Sequence, residues 1–334
     1  MDIIRKYNNE TFVYIDAKSK KKITDGNTLN RIKSLRIPPA YTMVRISKKA
    51  NSKVQAIGVD TKKRKQYIYN KEYIEQQKEI KFEDLINFGR KIKRIRRDVL
   101  NNIKQCSSDK SRIRDKTCII SIIIFLIDRC NFRVGNEKYK KLYNSYGATT
   151  LNRKHFTINK NNISIKFIGK KGVLNESKID NKNVKEILEN LCSYDLEYIF
   201  CYKDSKGETY RVTEKHINDF LKKYHKTISV KMFRTWSANY MLLRSILDHP
   251  LPEDTKEANK FLKGIIKNAA SKMHHTGTVS KQSYMNNKII DLYLEDPIKF
   301  KQIVEKFRKN NGTFPTISRM LNLFFKYLCD KNNN

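Results

Sequence analysis

At 334 residues, 39% of them apolar and including 16 Phe and 18 Tyr, the chain exceeds one ordinary core and is not a disordered tail. Seventy Lys and Arg against 34 Asp and Glu leave a formal charge of +36, with an isoelectric point near 9.9. A field of that sign and size excludes indifference to polyanions and points to nucleic-acid phosphates; an AT-rich genome inflates Lys but does not remove acids.

Residues 1–78 read as short β-type runs broken by turn residues. TFVYIDAKSKKKITD (11–25) has the pattern of a hairpin, while YTMVRIS (41–47), VQAIGVD (54–60) and KQYIYN (65–70) alternate or are β-branched. IPPA, with Pro38 and Pro39, cannot be central strand, and Thr61 to Lys65 form a basic turn. This piece carries 19 Lys and Arg and 7 Asp and Glu, a charge of +12 by itself. QQKEIK (76–81) is polar and reads as a linker. From Phe82 onward the texture turns helical: Leu85, Phe88, Ile92, Ile95 and Val99 recur at helical spacing, with basic residues on the other face. Further helices are expected at 116–131, 137–145, 182–192, 213–225, 231–248, 256–274 and 314–329. In HFTINKNNISIKFIGKKGVL (155–174) a period of two and Asn/Gly turns predict a small sheet. The expected class is α+β: a small β-rich N-terminal domain, 1–78, and a larger, mainly helical domain, 82–330, with a small β insert. Two basic lobes so joined can close around a duplex as a clamp, and the final DKNNN is expected to fray.

Cys106, Cys118, Cys130, Cys192, Cys201 and Cys329 form no CxxC pair and no zinc spacing with His, so no metal site is expected and the thiols read as reduced and mostly buried. MDIIRKYNNE lacks an apolar signal region. The longest apolar run, Ile119 to Ile127, is about half of what a bilayer span requires and reads as a buried core helix, so no membrane partner is expected. There is no GxxxxGK[ST] loop for ATP, GKKG (169–172) being too short, no HExxH, and no carboxylate cluster of the kind that holds two Mg²⁺. No cofactor is expected. Chemistry on nucleic acid then falls to side chains alone.

Cutting a phosphodiester with side chains requires planar Arg forks for the extra charge on the non-bridging oxygens, a nucleophile for phosphorus and an acid for the departing 5′ oxygen. Arg133 in FRVGNEKY and Arg234 in KMFRTWSANY are read at helix starts. There the dipole disfavours a cation by ~0.3–1 kcal/mol, a placement that suits a cation awaiting an anion. Lys170 stands at the turn of FIGKKGV, and His275 and Tyr284 stand in HHTGTVSKQSY. Singly, each has an ordinary reading: Tyr284 as one packing tyrosine among 18, Lys170 as a solubilising hairpin lysine, His275 and His274 as solvated helix-end residues, Trp236 as core. KKRK (62–65) reads as a localisation patch or, beside QYIY, a phosphate grip.

The ordered set IPPAYT, KKRKQYIY, FGRKIKRIRRDVL, FRVGNEKY, KFIGKKG, KMFRTWSANY and HTGTVSKQSY resembles the compact type IB topoisomerases of poxviruses, giant viruses and some bacteria over nearly the whole chain. The final motif places a His nine residues before a Tyr. The resemblance implies that Tyr284 is the nucleophile and forms a 3′-phosphotyrosyl link. It implies that Arg133 and Arg234 hold the scissile phosphate, that His275 hydrogen-bonds a non-bridging oxygen, and that Lys170 is the general acid for the 5′-OH. An ordinary phenol has a pKa of about 10, so the cations would help it ionise. Resealing is then the same chemistry reversed, without ATP or metal. The resemblance further implies DNA contacts from Lys65, Gln66, Tyr67 and Tyr69 in the small domain, from Lys138 and Tyr139 after the first Arg, and from Lys231. Lys171 departs from the poxvirus members, which carry Asp beside the acid, and GNE (135–137) is closer to the bacterial and giant-virus branch.

A tyrosine recombinase shares this chemistry, but usually carries His three residues before the second Arg, where this chain has Lys231, and a helical N-terminal domain. A non-enzymatic packaging protein accounts for the charge but leaves five filled chemical positions unexplained. The expected partner is double-stranded DNA, bound by a monomer, since one chain supplies all five residues and no heptad pattern appears. The expected location is inside the cell, and for a viral source the virion or a cytoplasmic viral factory.

Overall fold

The computed structural model describes residues 1–250, 254–309 and 316–330, which divide into two compact units, Met1–Lys81 and Phe82–Asn334. Among the described residues there are twelve α-helices and three antiparallel sheets, an α+β architecture.

The first unit is one sheet and one short helix. Strands β1 (Ile3–Tyr7), β2 (Phe12–Asp16), β3 (Thr42–Ile46), β4 (Val54–Val59) and β5 (Lys65–Tyr69) lie in the order β2-β1-β3-β4-β5. The register aligns Ile3, Ile46, Ala56 and Ile68 across four strands, and these pack with Ile32 of α1 (Gly26–Ser34). Arg5, on the same face, donates to the carbonyls of Ile37, Pro38, Pro39 and Tyr41, which fixes the IPPA loop that cannot join the ladder.

The sequence reading differs here in three places. The run 11–25 does fold back on itself, with Asp16 N donating to Lys21 O at 2.9 Å and Ile23 N to Tyr14 O at 2.8 Å, but its second arm is held by the single bridge between Ile15 and Lys22 and forms no strand, while β2 pairs along its length with β1. The Asp16 carboxylate ends the strand by accepting from the backbone of Lys18 and Ser19. Helix α1 is too short and too polar to stand out by periodicity; its local signal is Asp25, which caps Thr28 N at 2.8 Å. The segment 76–81 is not a loop linker but lies inside α2 (Lys71–Ser108), because Gln, Lys and Glu are good helix formers and nothing there breaks a helix.

In the second unit, α2 buries Leu85, Phe88, Ile92, Ile95, Val99 and Ile103, the stripe set by its spacing. It packs around α3 (Lys116–Cys130), whose residues Ile119 to Ile127 are all buried. After α4 (Glu137–Tyr143) comes the β insert, β6 (Phe156–Ile158), β7 (Ile163–Ile168) and β8 (Leu174–Ile179), a meander. Then follow α5 (Lys182–Cys192), the ribbon β9 (Cys201–Lys203) and β10 (Thr209–Arg211), α6 (Glu214–Lys222), α7 (Lys231–Leu247) and α8 (Thr255–Lys272). The chain continues through α9 (Gly277–Ser283), α10 (Asn287–Glu295), α11 (Pro297–Lys309) and α12 (Ile317–Asp330). The ribbon and α9 to α11 are additional to the expected elements: the ribbon strands have three residues each, α9 seven and α10 nine, too few to show a period. Residues 314 and 315 of the expected last helix, and 331–334 of the expected tail, lie outside the described residues. Five cysteines are buried thiols and Cys329 is half-buried. No helix among the described residues is long and apolar enough to cross a membrane.

Trp236 of α7 closes this core, 1% exposed, packing on Phe88 at 5.8 Å and on Phe325 of α12 at 6.1 Å. Gly89 makes room for it, since a β-carbon there would lie 2.5 Å from the indole and 2.7 Å from Asn322 Oδ1. Gly89→Ala should therefore overpack the junction and lower unfolding free energy by about 1–3 kcal/mol, despite the better helix propensity of Ala. A urea titration checks this; an unchanged midpoint would show that the junction yields freely.

Candidate active site

Arg133 does not start a helix. It follows Asn131, whose left-handed conformation (φ 54°) ends α3, and it lies in an irregular segment before α4. That segment is laced to 147–150: Ala148 N donates to Arg133 O at 2.8 Å, and Thr149 donates to Val134 O through N at 2.7 Å and Oγ1 at 2.9 Å. The lacing needs two glycines, because a β-carbon on Gly147 would lie 2.5 Å from Gly135 Cα, and Gly135 itself has φ 96°. Lys170 is exposed at the turn between β7 and β8, just after Gly169, whose N donates to Val173 O, and before Lys171 at φ 63°. Phe167 of β7 packs edge-on against Phe132 at 4.8 Å, which ties this hairpin to the segment bearing Arg133.

Arg234 sits in the first turn of α7 and is 4% exposed. The turn between α8 and α9 meets it. His274 N donates to Ser271 O and His275 N to Ala270 O, each at 3.1 Å, with His274 at φ 55°; this is a Schellman ending for α8. Two successive carbonyls of that turn receive the two arginines: Met273 O accepts from Arg234 Nη2 at 2.9 Å, and His274 O accepts from Arg133 Nη1 at 3.3 Å. Tyr284 ends α9, with the Arg234 guanidinium carbon 5.2 Å from its ring centroid and the His275 ring parallel to it at 5.0 Å. Arg133, Arg234, His275 and Tyr284 thus meet at one turn of the second unit, and the Lys170 charge acts on the Tyr284 phenol from its hairpin.

Charge decides the chemistry of this cluster. Burial pushes the Tyr284 phenol up, but the charge and hydrogen bonding of Arg234, then the charges of Arg133 and Lys170, outweigh it and hold the phenol below its ordinary value. Burial, with the nearby arginines and His274, lowers His275 to about 4 against the raising effect of its hydrogen bond to Thr276 O. The imidazole is therefore neutral at pH 7. Its Nδ1 lies 3.1 Å from Thr276 O and so carries the hydrogen, while Nε2 is buried without a partner. Arg234 Nε and Nη1 are likewise buried without a partner, and among the described residues no carboxylate pairs with Arg133 or Arg234. Open N–H groups in a buried guanidinium are unfavourable until an acceptor arrives, and an oxyanion fits them. Among the described residues no group of three or more His, Cys, Asp or Glu is arranged for a metal.

The remaining candidates lie on β5, α4 and α7. In the first unit, Tyr67 and Tyr69 are exposed and stack at 6.2 Å, with Lys65 Nζ 5.6 Å from the Tyr67 ring. Gln66 is half-buried, its Nε2 donating at 2.8 Å to Asp60, the same carboxylate that braces the basic turn through Lys62 N and Arg64. In the second unit, Lys138 and Tyr139 are exposed on α4, and Tyr139 packs on Tyr143 at 5.8 Å. Lys231 opens α7 and pairs with Glu214 at 3.0 Å.

Two contributors escaped the sequence reading. His274 is half-buried, with Nε2 3.1 Å from Cys130 O, and is not a solvated helix-end residue. Asn239, fully buried in α7, donates through Nδ2 to Thr235 O and Tyr284 O, each at 2.8 Å, and accepts from Asn286 N at 2.7 Å. It fixes the backbone of Tyr284 to the helix that carries Arg234. The one available signal was a polar amide within the apolar face of WSANYMLL.

Residues 61–311 match the family model of the eukaryotic DNA topoisomerase I catalytic core, and residues 11–60 that of the bacterial DNA topoisomerase IB N-terminal domain. The chain is similar to DNA topoisomerase 1B of Acanthamoeba polyphaga mimivirus, 29% identical over 97% of this chain and 95% of that relative. It is also similar to DNA topoisomerase I of monkeypox virus and DNA topoisomerase 1B of vaccinia virus (strain Copenhagen), each 26% identical over 82% of this chain and 88% of the relative.

Asn239→Ala should orphan Tyr284 O and Asn286 N and lower stability by ~1–3 kcal/mol. Chemical denaturation measures this, and a loss below a few tenths would mean that water replaces the amide. His155, 7% exposed, is lowered to about 4 by burial and by Lys154, and His275 titrates at about the same pH. The unfolded chain, with His near 6.5, then binds more protons than the folded one, so stability falls as pH drops from about 6.5 to about 4. Melting temperatures across that range should show the decline, and His155→Asn, which keeps an acceptor near the Nδ1 position, should remove part of it; a flat profile would place both rings in contact with solvent.

Proposed function

Because the chain belongs to the type IB DNA topoisomerase family, we propose that it cleaves and rejoins one strand of duplex DNA through Tyr284 and the four side chains gathered around it. Membership makes it a DNA topoisomerase, an isomerase acting on DNA. The observation that carries the residue assignment is the convergence of Arg133, Lys170, Arg234 and His275 on one tyrosine, with the phenol lowered by three of those charges.

Tyr284 Oη, having given its proton to solvent, attacks phosphorus as the bond from phosphorus to the 5′ oxygen breaks, giving a 3′-phosphotyrosyl link and a free 5′-OH. Arg133 and Arg234 hold the non-bridging oxygens, and the open Nε and Nη1 of Arg234 are the natural donors. Lys170, exposed at its hairpin turn, gives a proton to the leaving oxygen. His275 serves as a donor to a non-bridging oxygen only with a hydrogen on Nε2, and the negative phosphate favours that proton. Rejoining reverses each transfer, so neither ATP nor metal is consumed. DNA contacts from the first unit fall to Lys65, Gln66, Tyr67 and Tyr69, the last two as stacking and groove contacts; Lys138, Tyr139 and Lys231 contribute from the second. One chain suffices, so the enzyme acts as a monomer. The viral relatives fit a place within the virion or a cytoplasmic viral factory.

The test is relaxation of a supercoiled plasmid in EDTA, with the covalent adduct trapped by denaturant. The unsubstituted protein should relax the plasmid and Tyr284→Phe should form no adduct. Arg133→Ala and Arg234→Ala should each slow cleavage by about 10²–10³ or more while still binding DNA. Lys170→Ala should be rescued by a 5′-thio leaving group, which departs without a proton. A loss below tenfold in either arginine variant would break the assignment of the phosphate clamp.

A further inference from the structure

We infer that His274 is a positioning residue for this reaction: its side chain pins the turn between α8 and α9 so that two successive carbonyls hold both arginines while His275 faces the nucleophile. The inference rests on the assignment of Arg133, Arg234, His275 and Tyr284 made above.

The backbone poses the question. His274 occupies the left-handed position of the Schellman ending, at φ 55°, where Gly is the usual residue and Asn the next. A β-carbon is unfavourable there, so capping alone does not call for a histidine. The side chain answers it. Nε2 faces Cys130 O at 3.1 Å and therefore donates. Cys130 is the last residue of α3, and its carbonyl is among those a helix end leaves without an intrahelical partner. The ring also packs against Phe132 at 5.8 Å. One side chain thus joins residue 274 to both neighbours of the segment that leads into Arg133. On the backbone side, His274 O receives Arg133 Nη1 and Met273 O receives Arg234 Nη2. If the turn shifts relative to the end of α3, both guanidinium groups lose their aim together, and His275 moves with them.

A cap that only stabilises the fold makes a different prediction from a residue that aims the arginines. His274→Gly suits the backbone and removes the donor; His274→Gln keeps an N–H close to the Nε2 position. Single-turnover cleavage of a duplex oligonucleotide gives the rate, Kd of the non-covalent complex is read in a Tyr284→Phe background, and thermal melting reports folding. His274→Gly should slow cleavage by about 10–100-fold, as expected for a small misplacement of catalytic groups, with Kd unchanged within about twofold. His274→Gln should restore the rate to within about fivefold of the unsubstituted protein. Cleavage by His274→Gly at the unsubstituted rate, or equal slowness of the two variants, overturns the inference. So does a loss of Kd and melting temperature in step with the rate. Arg133→Ala and Tyr284→Phe run alongside: full-rate adduct formation by either sinks the underlying assignment, whatever His274 does.

Discussion

A guanidinium held at 4% exposure, with two nitrogens lacking partners, is the constraint around which the helical unit is arranged. Burying a cation without a carboxylate is unfavourable, and the usual relief is a salt bridge. Here no salt bridge forms: among the described residues neither Arg133 nor Arg234 pairs with a carboxylate, whereas Glu137, Glu214 and Asp128 pair with Arg211, Lys231 and Arg96. Arg234 leans instead on a backbone carbonyl and the phenol of Tyr284. A carbonyl carries only a partial charge. It orients the fork without neutralising it, and leaves the attraction for an oxyanion in place.

Holding such a cluster against its own repulsion requires a stiff frame. The buried α3 anchors one side, ending at Cys130; α7 supplies the other, with Trp236 packed on Phe88 and Phe325. Polar links then span the gap: Asn239 to Tyr284 O, and the carbonyls of Met273 and His274 to the two arginines. Each joins positions far apart in sequence, and the bond from Arg234 to Met273 O is buried at 2.9 Å. Small shifts are resisted by packing on every side.

What the sequence disclosed follows from the range of the forces involved. Periodicity reports burial, so the α2 stripe and the α3 run were legible, as was the alternation in β3, β4 and β5. Short elements such as α1 and α9 are set by single caps, Asp25 and Thr276, which carry little pattern. The segment 76–81 misled because polarity says that a residue is wet, not that it is irregular. For the site, residue type and motif order picked out the five side chains that the fold gathers. Arg133 was misplaced onto a helix because the left-handed Asn131 that interrupts the chain has no signature beyond its identity. The support from Asn239 and His274 depends on backbone carbonyls, which are the same in every residue and leave no mark on the sequence.

On the proposed reading, a reversible strand-passing reaction constrains the nucleophile from both directions. The phenol must lose its proton to attack, and as a phenolate must leave again when the 5′-OH returns. Cations that only strengthened attack on a ground-state phosphate would trap the adduct. Because the charges of Arg234, Arg133 and Lys170 reach the phenolic oxygen as well as the phosphate, they stabilise the same phenolate in cleavage and in rejoining, lowering both barriers together. Lys170 serves each direction as acid and then base, for which an exposed ammonium at a hairpin turn is well suited. A neutral His275 at rest keeps a further positive charge from adding to the repulsion between the arginines, and the proton it takes up on meeting the phosphate arrives only when there is an anion to share it.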